Sequence, residues 1–313
     1  MTRFVVRRLI AMVGVMIAIS LITFLLFEAI PNGDPALRLA GRSATALEIH
    51  QIDVKYGFNQ PIYVQYVRMI KNIVTGQAES ITQGFNVLDE IKQDFPATLS
   101  LALGAGAIWL LVSIGVGTLA AVKAGRYTDR ILTVLAMLGV SFPPFFLGAV
   151  LLYYLGYEAN IIPLGGYVPL SDPVQWLVHL LAPWFTLSVL FIGFYSRVLR
   201  STILDTINED FVRTARAKGM AERSVLTKHI LRNSLIPIIS LFGLDLAQVI
   251  GGGAILTESV FNLHGVGQLA LDSIHKLDIV PIEVIVLLTA FAVVALAAVT
   301  DIVYAFLDPR IRL

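Results

Sequence analysis

Apolar residues in this chain fall into six long runs, at 9–30, 97–122, 131–155, 176–196, 235–256 and 281–307, divided by polar stretches. At about 1.5 Å per helical residue, a run of roughly 20 residues crosses the ~30 Å hydrocarbon core of a bilayer. The pattern therefore predicts six membrane-spanning helices. The first run follows Arg3, Arg7 and Arg8 and closes on Pro31-Asn32-Gly33-Asp34-Pro35 with no small-residue cleavage site, so it is expected to stay as a helix. Pro143-Pro144 falls inside the third run, where a missing N–H and ring clashes must kink or break the helix. Gly251-Gly252-Gly253 lies in the fifth, and such glycines allow either close helix packing or local unwinding beside a pathway.

Two polar stretches interrupt the runs. Residues 31–95 carry six Lys/Arg and seven Asp/Glu. Tyr56, Tyr63, Tyr66 and Val67 predict short amphipathic helices there, divided by a turn at Asn59-Gln60-Pro61. The second stretch, Arg197 to Pro237, holds eight Lys/Arg up to Arg232, with the acids Asp205, Glu209, Asp210 and Glu222. A charge at the bilayer centre costs about 2.5–3.5 kcal/mol, so these twelve cannot cross. Leu226, Ile230 and Leu231 keep a helical period, and Gly219 divides the stretch where a left-handed residue would turn the chain. The expectation is a helix, a glycine turn and a second helix at the membrane surface.

Composition agrees. The chain is 57% hydrophobic and 14% charged, against about 25% charged in soluble domains, and its mean hydropathy is +0.79. It reads as an integral membrane protein. A formal net charge of +1 gives no general attraction to nucleic acid, and the absence of cysteine excludes disulfides and thiolate chemistry. The distribution of Lys/Arg is more informative. Sixteen lie before run 1, between runs 2 and 3, between runs 4 and 5, and after run 6; seven lie on the other side. That bias predicts both termini and the Arg197–Arg232 stretch in the cytoplasm, with 31–95 and the loop at 156–175 outside.

Chemistry is sparse. No phosphate-cradling G-x-x-x-x-G-K-[ST] occurs, nor any H-E-x-x-H or G-x-S-x-G, and the five histidines are scattered, so neither catalysis nor a metal site is expected. Glu28 and Asp301 sit near helix ends, whereas Asp245 falls nearer mid-helix with Gln248 one turn away. A carboxylate there faces a cavity or a partner. Asp245, Gln248 and Gly252 thus form a candidate substrate pathway, with an interhelical hydrogen-bond anchor as the other reading of Asp245. No internal repeat suggests an inverted-repeat carrier.

The segment Asp210-Phe211-Val212-Arg213-Thr214-Ala215-Arg216-Ala217-Lys218-Gly219 resembles the cytoplasmic EAA loop of bacterial ABC importer permeases, specifically the peptide/nickel branch with its D-[YF]-V-R-T-A-R-A-K-G. The general pattern begins Glu-Ala-Ala; here Arg213-Thr214-Ala215 stands in its place, so only Ala215 and Gly219 match it. The resemblance runs through nearly the whole chain. Pro31-Asn32-Gly33-Asp34-Pro35 is similar to the family's P-G-D-P, and Gly57 through Tyr66 to its G-L-D-Q-P-L-Y-V-Q-Y. Phe95-Pro96-Ala97-Thr98-Leu99 looks like the L-P-A-T-L that opens helix 2. Gly252-Gly253-Ala254, Thr257-Glu258-Ser259-Val260-Phe261 and Gly265-Val266-Gly267 resemble the segment after helix 5, and Asp308-Pro309-Arg310-Ile311-Arg312 the usual ending.

The resemblance implies an all-α type I importer permease of the peptide B-type half. Helix 1 would end near residue 30, an extracytoplasmic segment would span 31–95, and a core would span 96–313 with a coupling loop at 197–234. It implies a non-catalytic subunit in a bacterial cytoplasmic membrane, binding no cofactor itself. A second homologous permease, two P-loop ATPases that bind ATP and Mg, and an extracytoplasmic substrate-binding protein would complete the system. The cargo would be di- or oligopeptides, or alternatively a nickel chelate or another small solute. Asp210, Arg213, Thr214, Ala215, Lys218, Gly219 and Met220 would form the ATPase contact, with Ala215 packing and Gly219 turning. A proton-coupled carrier using Asp245 and Glu28, or a membrane scaffold, are the rival classes.

Overall fold

A computed structural model describes residues 2–29, 36 and 45–307. Among the described residues the chain is helical apart from its loops and one isolated bridge between Glu79 and Asn86. The helices are α1 (Thr2–Phe24), running on as a π-helical turn Leu25–Ala29, α2 (Ala46–Tyr56), α3 (Ile62–Thr75), α4 (Val87–Val122), α5 (Tyr127–Ser141) and α6 (Pro144–Leu151). There follow α7 (Pro173–Thr206), α8 (Asp210–Ala217), α9 (Glu222–Ser224), α10 (Arg232–Gln248), α11 (Ile255–Val260), α12 (Val266–His275) and α13 (Ile279–Leu307).

Among the described residues, five stretches are long and apolar enough to cross a membrane: Ile10–Phe27, Val87–Val122, Pro173–Thr206, Glu222–Gly253 and Ile279–Val299. Tyr127–Ser141 and Pro144–Glu158 are long and apolar enough only together, and the pair is bent by 92°, the geometry of a broken span or a re-entrant loop. The break falls at Pro143-Pro144, where neither ring nitrogen can donate and the chain leaves helical geometry at Phe142 (ψ 122) and Pro143 (ψ 136). The motifs at 31–35 and 308–312, and the side chains of Glu28 and Asp301, lie outside the described residues.

Two boundaries differ from the sequence reading. α4 does not open at Pro96; it begins nine residues earlier, because the Asn86 side-chain oxygen accepts the Leu88 and Asp89 N–H groups at 3.0 and 3.2 Å and caps the helix there. Asp89 and Glu90 then suit the positive end of its dipole. α7 likewise runs past Arg197 to Thr206, so the first basic residues of the polar stretch ride on a membrane helix.

The chain divides into two compact units. The first comprises Met1–Phe95 and Leu269–Phe291. Here α2 starts at a capping box, in which the Thr45 and Glu48 side chains each accept the other's backbone N–H. The α2–α3 turn takes Gly57 at φ +72, a left-handed conformation that favours glycine, and the Arg68 guanidinium fills the space a Cβ would occupy. That guanidinium donates to the Tyr56 carbonyl (2.9 Å) and to Gln60 Oε1 (2.6 Å), locking α3 back onto the end of α2. Tyr66 ties α3 to α1 through Ser20 (2.8 Å) and an edge-on contact with Phe24. Buried Asp278, just before α13, accepts the Ser80 and Thr82 hydroxyls at 2.5 and 2.7 Å and so pins the loop after α3.

The second unit comprises Pro96–Gln268 and Ala292–Leu313. Its core collects Leu101, Trp109, Leu180, Trp184, Tyr195, Leu199, Ile203 and Ile230. α5 lies close along α7 because small residues face each other: a Cβ on Gly193 would stand 2.4 Å from the Ala136 carbonyl. Trp109 stacks on Phe191 with centroids 4.3 Å apart and meets Phe242 edge-on.

Candidate coupling loop and substrate pathway

The α8 turn is built by its own sequence. Val212 and Ala215, three residues apart, are buried against Val225 and Ile230 in the core, which leaves the opposite face of α8 to solvent. The Thr214 hydroxyl donates to the Asp210 carbonyl at 2.9 Å. At the C-terminus Lys218 N–H donates to Thr214 O, Gly219 N–H to Arg216 O and Met220 N–H to Ala215 O, so α8 ends in a tight reversal. Gly219 takes φ +76 there, the left-handed conformation the sequence reading expects. Arg216 clamps the reversal from outside, pairing with Glu222 at 2.5 Å. Asp210, Arg213, Lys218 and Gly219 are exposed, and Met220 is half-buried against the core. All seven candidate coupling residues thus lie on one short helix and its turn.

A half-buried ion pair ties α7 to α5 at the start of this region. Arg200 on α7 donates to both oxygens of Asp129 on α5, at 2.6 and 2.8 Å, and the Gly125 N–H donates to the same carboxylate at 2.9 Å. Such bidentate geometry fixes orientation as well as distance. Sequence reasoning missed it. Asp129 stood as a lone acid among Lys123, Arg126 and Arg130, which was its only signal.

The pathway candidates do not form one cluster. The Tyr195 hydroxyl on α7 donates to Asp245 on α10 at 2.5 Å, an interhelical tie beside the Trp109 aromatic group. Gln248 points to the exposed surface one turn further on. Gly252 sits at φ +117 and breaks the helix, so the glycine run is locally unwound. It lines a largely apolar cavity of about 340 Å³ with Pro144 and Phe145. Two broken helices therefore meet at one cavity.

A third constellation gathers motifs far apart in sequence. Glu258 is buried and accepts the Thr98 hydroxyl at 2.8 Å and the Gln268 N–H at 3.0 Å; Thr98 in turn accepts the Val266 N–H at 2.9 Å. Burial pushes the Glu258 carboxyl above the usual carboxylate range, and these donors partly oppose it. Gly265 leaves room for it, because a Cβ there would stand 2.4 Å from Glu258 Oε2.

Known proteins resemble this chain. Residues 113–313 match the family described as binding-protein-dependent transport system inner membrane component, and residues 1–102 match its N-terminal companion. The probable peptide ABC transporter permease protein y4tP of Sinorhizobium fredii is 34% identical over 99% of both chains. The oligopeptide transport system permease protein AppB of Bacillus subtilis is 33% identical over the full length of both. The glutathione transport system permease protein GsiC of Escherichia coli is 34% identical over 100% of this chain and 99% of its own. Among solved structures, the inward-facing MetNI methionine ABC transporter shares the fold, with a TM-score of 0.58 at 16% identity over 71% of this chain and 97% of that one. The chain belongs to the binding-protein-dependent transport system inner membrane components, and it is a multi-pass permease of that family.

Proposed function

We propose that the chain is one permease subunit of an ATP-driven peptide importer, and that the α8 turn is where separate ATPase subunits engage it. The carrying observation is the exposed face of Asp210–Met220, closed by left-handed Gly219 and the Arg216–Glu222 pair and backed by buried Ala215. A rigid, solvent-facing helix end joined to two membrane helices suits transmission of a rigid-body push. The sequence carries no phosphate-cradling motif, which supports assigning ATP and Mg to the partners, and a second homologous permease completes the pathway. Delivery from outside falls to a substrate-binding protein, with both termini of this chain cytoplasmic. Peptide cargo follows from relatives named for peptides, oligopeptides and glutathione. Asp245 serves as an interhelical tie, since Tyr195 already occupies it.

The test is Gly219→Asp in the assembled transporter reconstituted in vesicles. ATP hydrolysis is expected to persist while peptide uptake falls to background. Uptake at the wild-type rate per ATP hydrolysed would overturn the assignment of this turn.

A further inference from the structure

A cavity of about 260 Å³ lies within the first unit, between α2, α3, the loop after α3 and the start of α13. Its lining carries both signs of charge: Lys55 and Arg68 on one hand, Glu79 and the buried Glu283 on the other. Its depth is fixed by α13. Val280, Glu283 and Val284 stand in the first two turns of α13, whose stretch Ile279–Val299 is long and apolar enough to cross a membrane, so the cavity sits at the end where that helix would enter a bilayer. The helices α2 and α3 have 11 and 14 residues, too few to cross, and form its polar wall. Lipid headgroups occupy this level.

We propose that the cavity is a binding site for a phospholipid headgroup in which a primary ammonium accompanies a phosphate, the ethanolamine type. The two cations favour the phosphate oxygens. Glu283 and Glu79 favour the ammonium, which donates hydrogen bonds that a quaternary ammonium lacks. A choline headgroup would instead need an open aromatic face. Of the two rings that line the cavity, Tyr56 has the Lys55 ammonium 4.9 Å over its face, and Phe58 is stacked on Tyr56. A glycerol headgroup offers these carboxylates no ammonium. Protein contacts hold the lining in place, as Asp278 pins the loop that bears Glu79, and the Tyr56 and Gln60 contacts fix Arg68.

The full chain, purified in mild detergent with its copurifying subunits, is to be mixed with equal amounts of ethanolamine, choline and glycerol phospholipids of one acyl composition, and bound lipid read by native mass spectrometry. The ethanolamine lipid is expected to be retained about tenfold over each competitor, the factor one charge-assisted contact carries. Glu283→Gln should bring the three towards parity, and the exposed-site variant Glu79→Gln should lower the preference with folding untouched. Parity in the wild type, or an unchanged preference in Glu79→Gln and in folded Glu283→Gln, would overturn the site. A soluble zwitterion, glycylglycine, is the second probe: displacement of the lipid by it at equal concentration would overturn the lipid assignment in favour of a free zwitterion.

Discussion

Thr98 on α4 and Glu258 on α11 meet at 2.8 Å across 160 residues of chain, the hydroxyl donating to a carboxylate that is 1% exposed. The Thr98 oxygen is itself an acceptor for Val266, so the pair closes a loop of hydrogen bonds rather than a single contact. Removing either partner leaves buried groups unsatisfied, at a cost of about 1–3 kcal/mol. Thr98→Val and Glu258→Leu are each expected to lower the melting temperature of the solubilised chain. The double variant should cost less than the sum. Additive losses would show that the two act apart.

Gly265→Ala attacks the same clasp by volume. The new methyl meets Glu258 Oε2 at 2.4 Å, and overpacking of this kind costs about 1–3 kcal/mol. Gly265→Ala in a Glu258→Ala background relieves the clash, so its penalty should shrink there. Thermal unfolding of the two pairs checks it.

The Asp129–Arg200 pair should tolerate no half measures. Asp129→Asn leaves the Arg200 guanidinium, whose side chain is 31% exposed, without its charge partner; solvent access keeps the loss below the ~3–5 kcal/mol of a fully buried pair. Arg200→Lys keeps the charge and forfeits the bidentate fork. Its stability, measured by thermal unfolding, should fall between wild type and Asp129→Asn.

At Gly219 the penalty is conformational. Nothing stands within 4 Å of a Cβ built there, yet φ is +76. Substitution should cost about 1–2 kcal/mol for alanine and less for asparagine, which visits the left-handed region readily. Coupled transport should therefore decline in the order glycine, asparagine, alanine, valine. Equal activity in all four would show that the turn does not need its left-handed residue.

Glu48 supplies a pH dependence. The Thr45 N–H donates to its carboxylate at 2.7 Å and the Thr45 hydroxyl at 2.9 Å, holding the carboxyl below its ordinary 4.5. A depressed carboxyl stabilises the fold above its unfolded value and loses that contribution as pH falls through the folded one. The first turn of α2 should thus fray on acidification below about pH 4.5. Amide exchange at Glu48 and Ile49 should quicken there, after correction for intrinsic rates, and Glu48→Gln should abolish the change.

Features with a local cause were legible in the sequence. The membrane runs announce themselves by length and hydropathy, the break at Pro143-Pro144 by ring chemistry, and the Gly219 turn by a helical period stopping at glycine. The early start of α4 was also local, encoded in Asn86 and the acids after it, but the apolar run that follows is the louder signal. What could not be read are pairings without a period. Arg200 with Asp129, Tyr195 with Asp245 and Ser80 with Asp278 join residues tens to hundreds of positions apart, and only packing brings them together. Thr98 and Glu258 stood in recognised motifs, yet nothing in either motif says that the other is its partner.

The clasp at Thr98 also constrains biogenesis. A ribosome delivers α4 to the membrane long before it has made Glu258, so through most of synthesis Thr98 waits without its carboxylate. A nascent chain arrested between α10 and α11 would hold its helices inserted and unlatched. Closure becomes possible only after α11 has been made, so this hydrogen bond forms late relative to the insertion of α4.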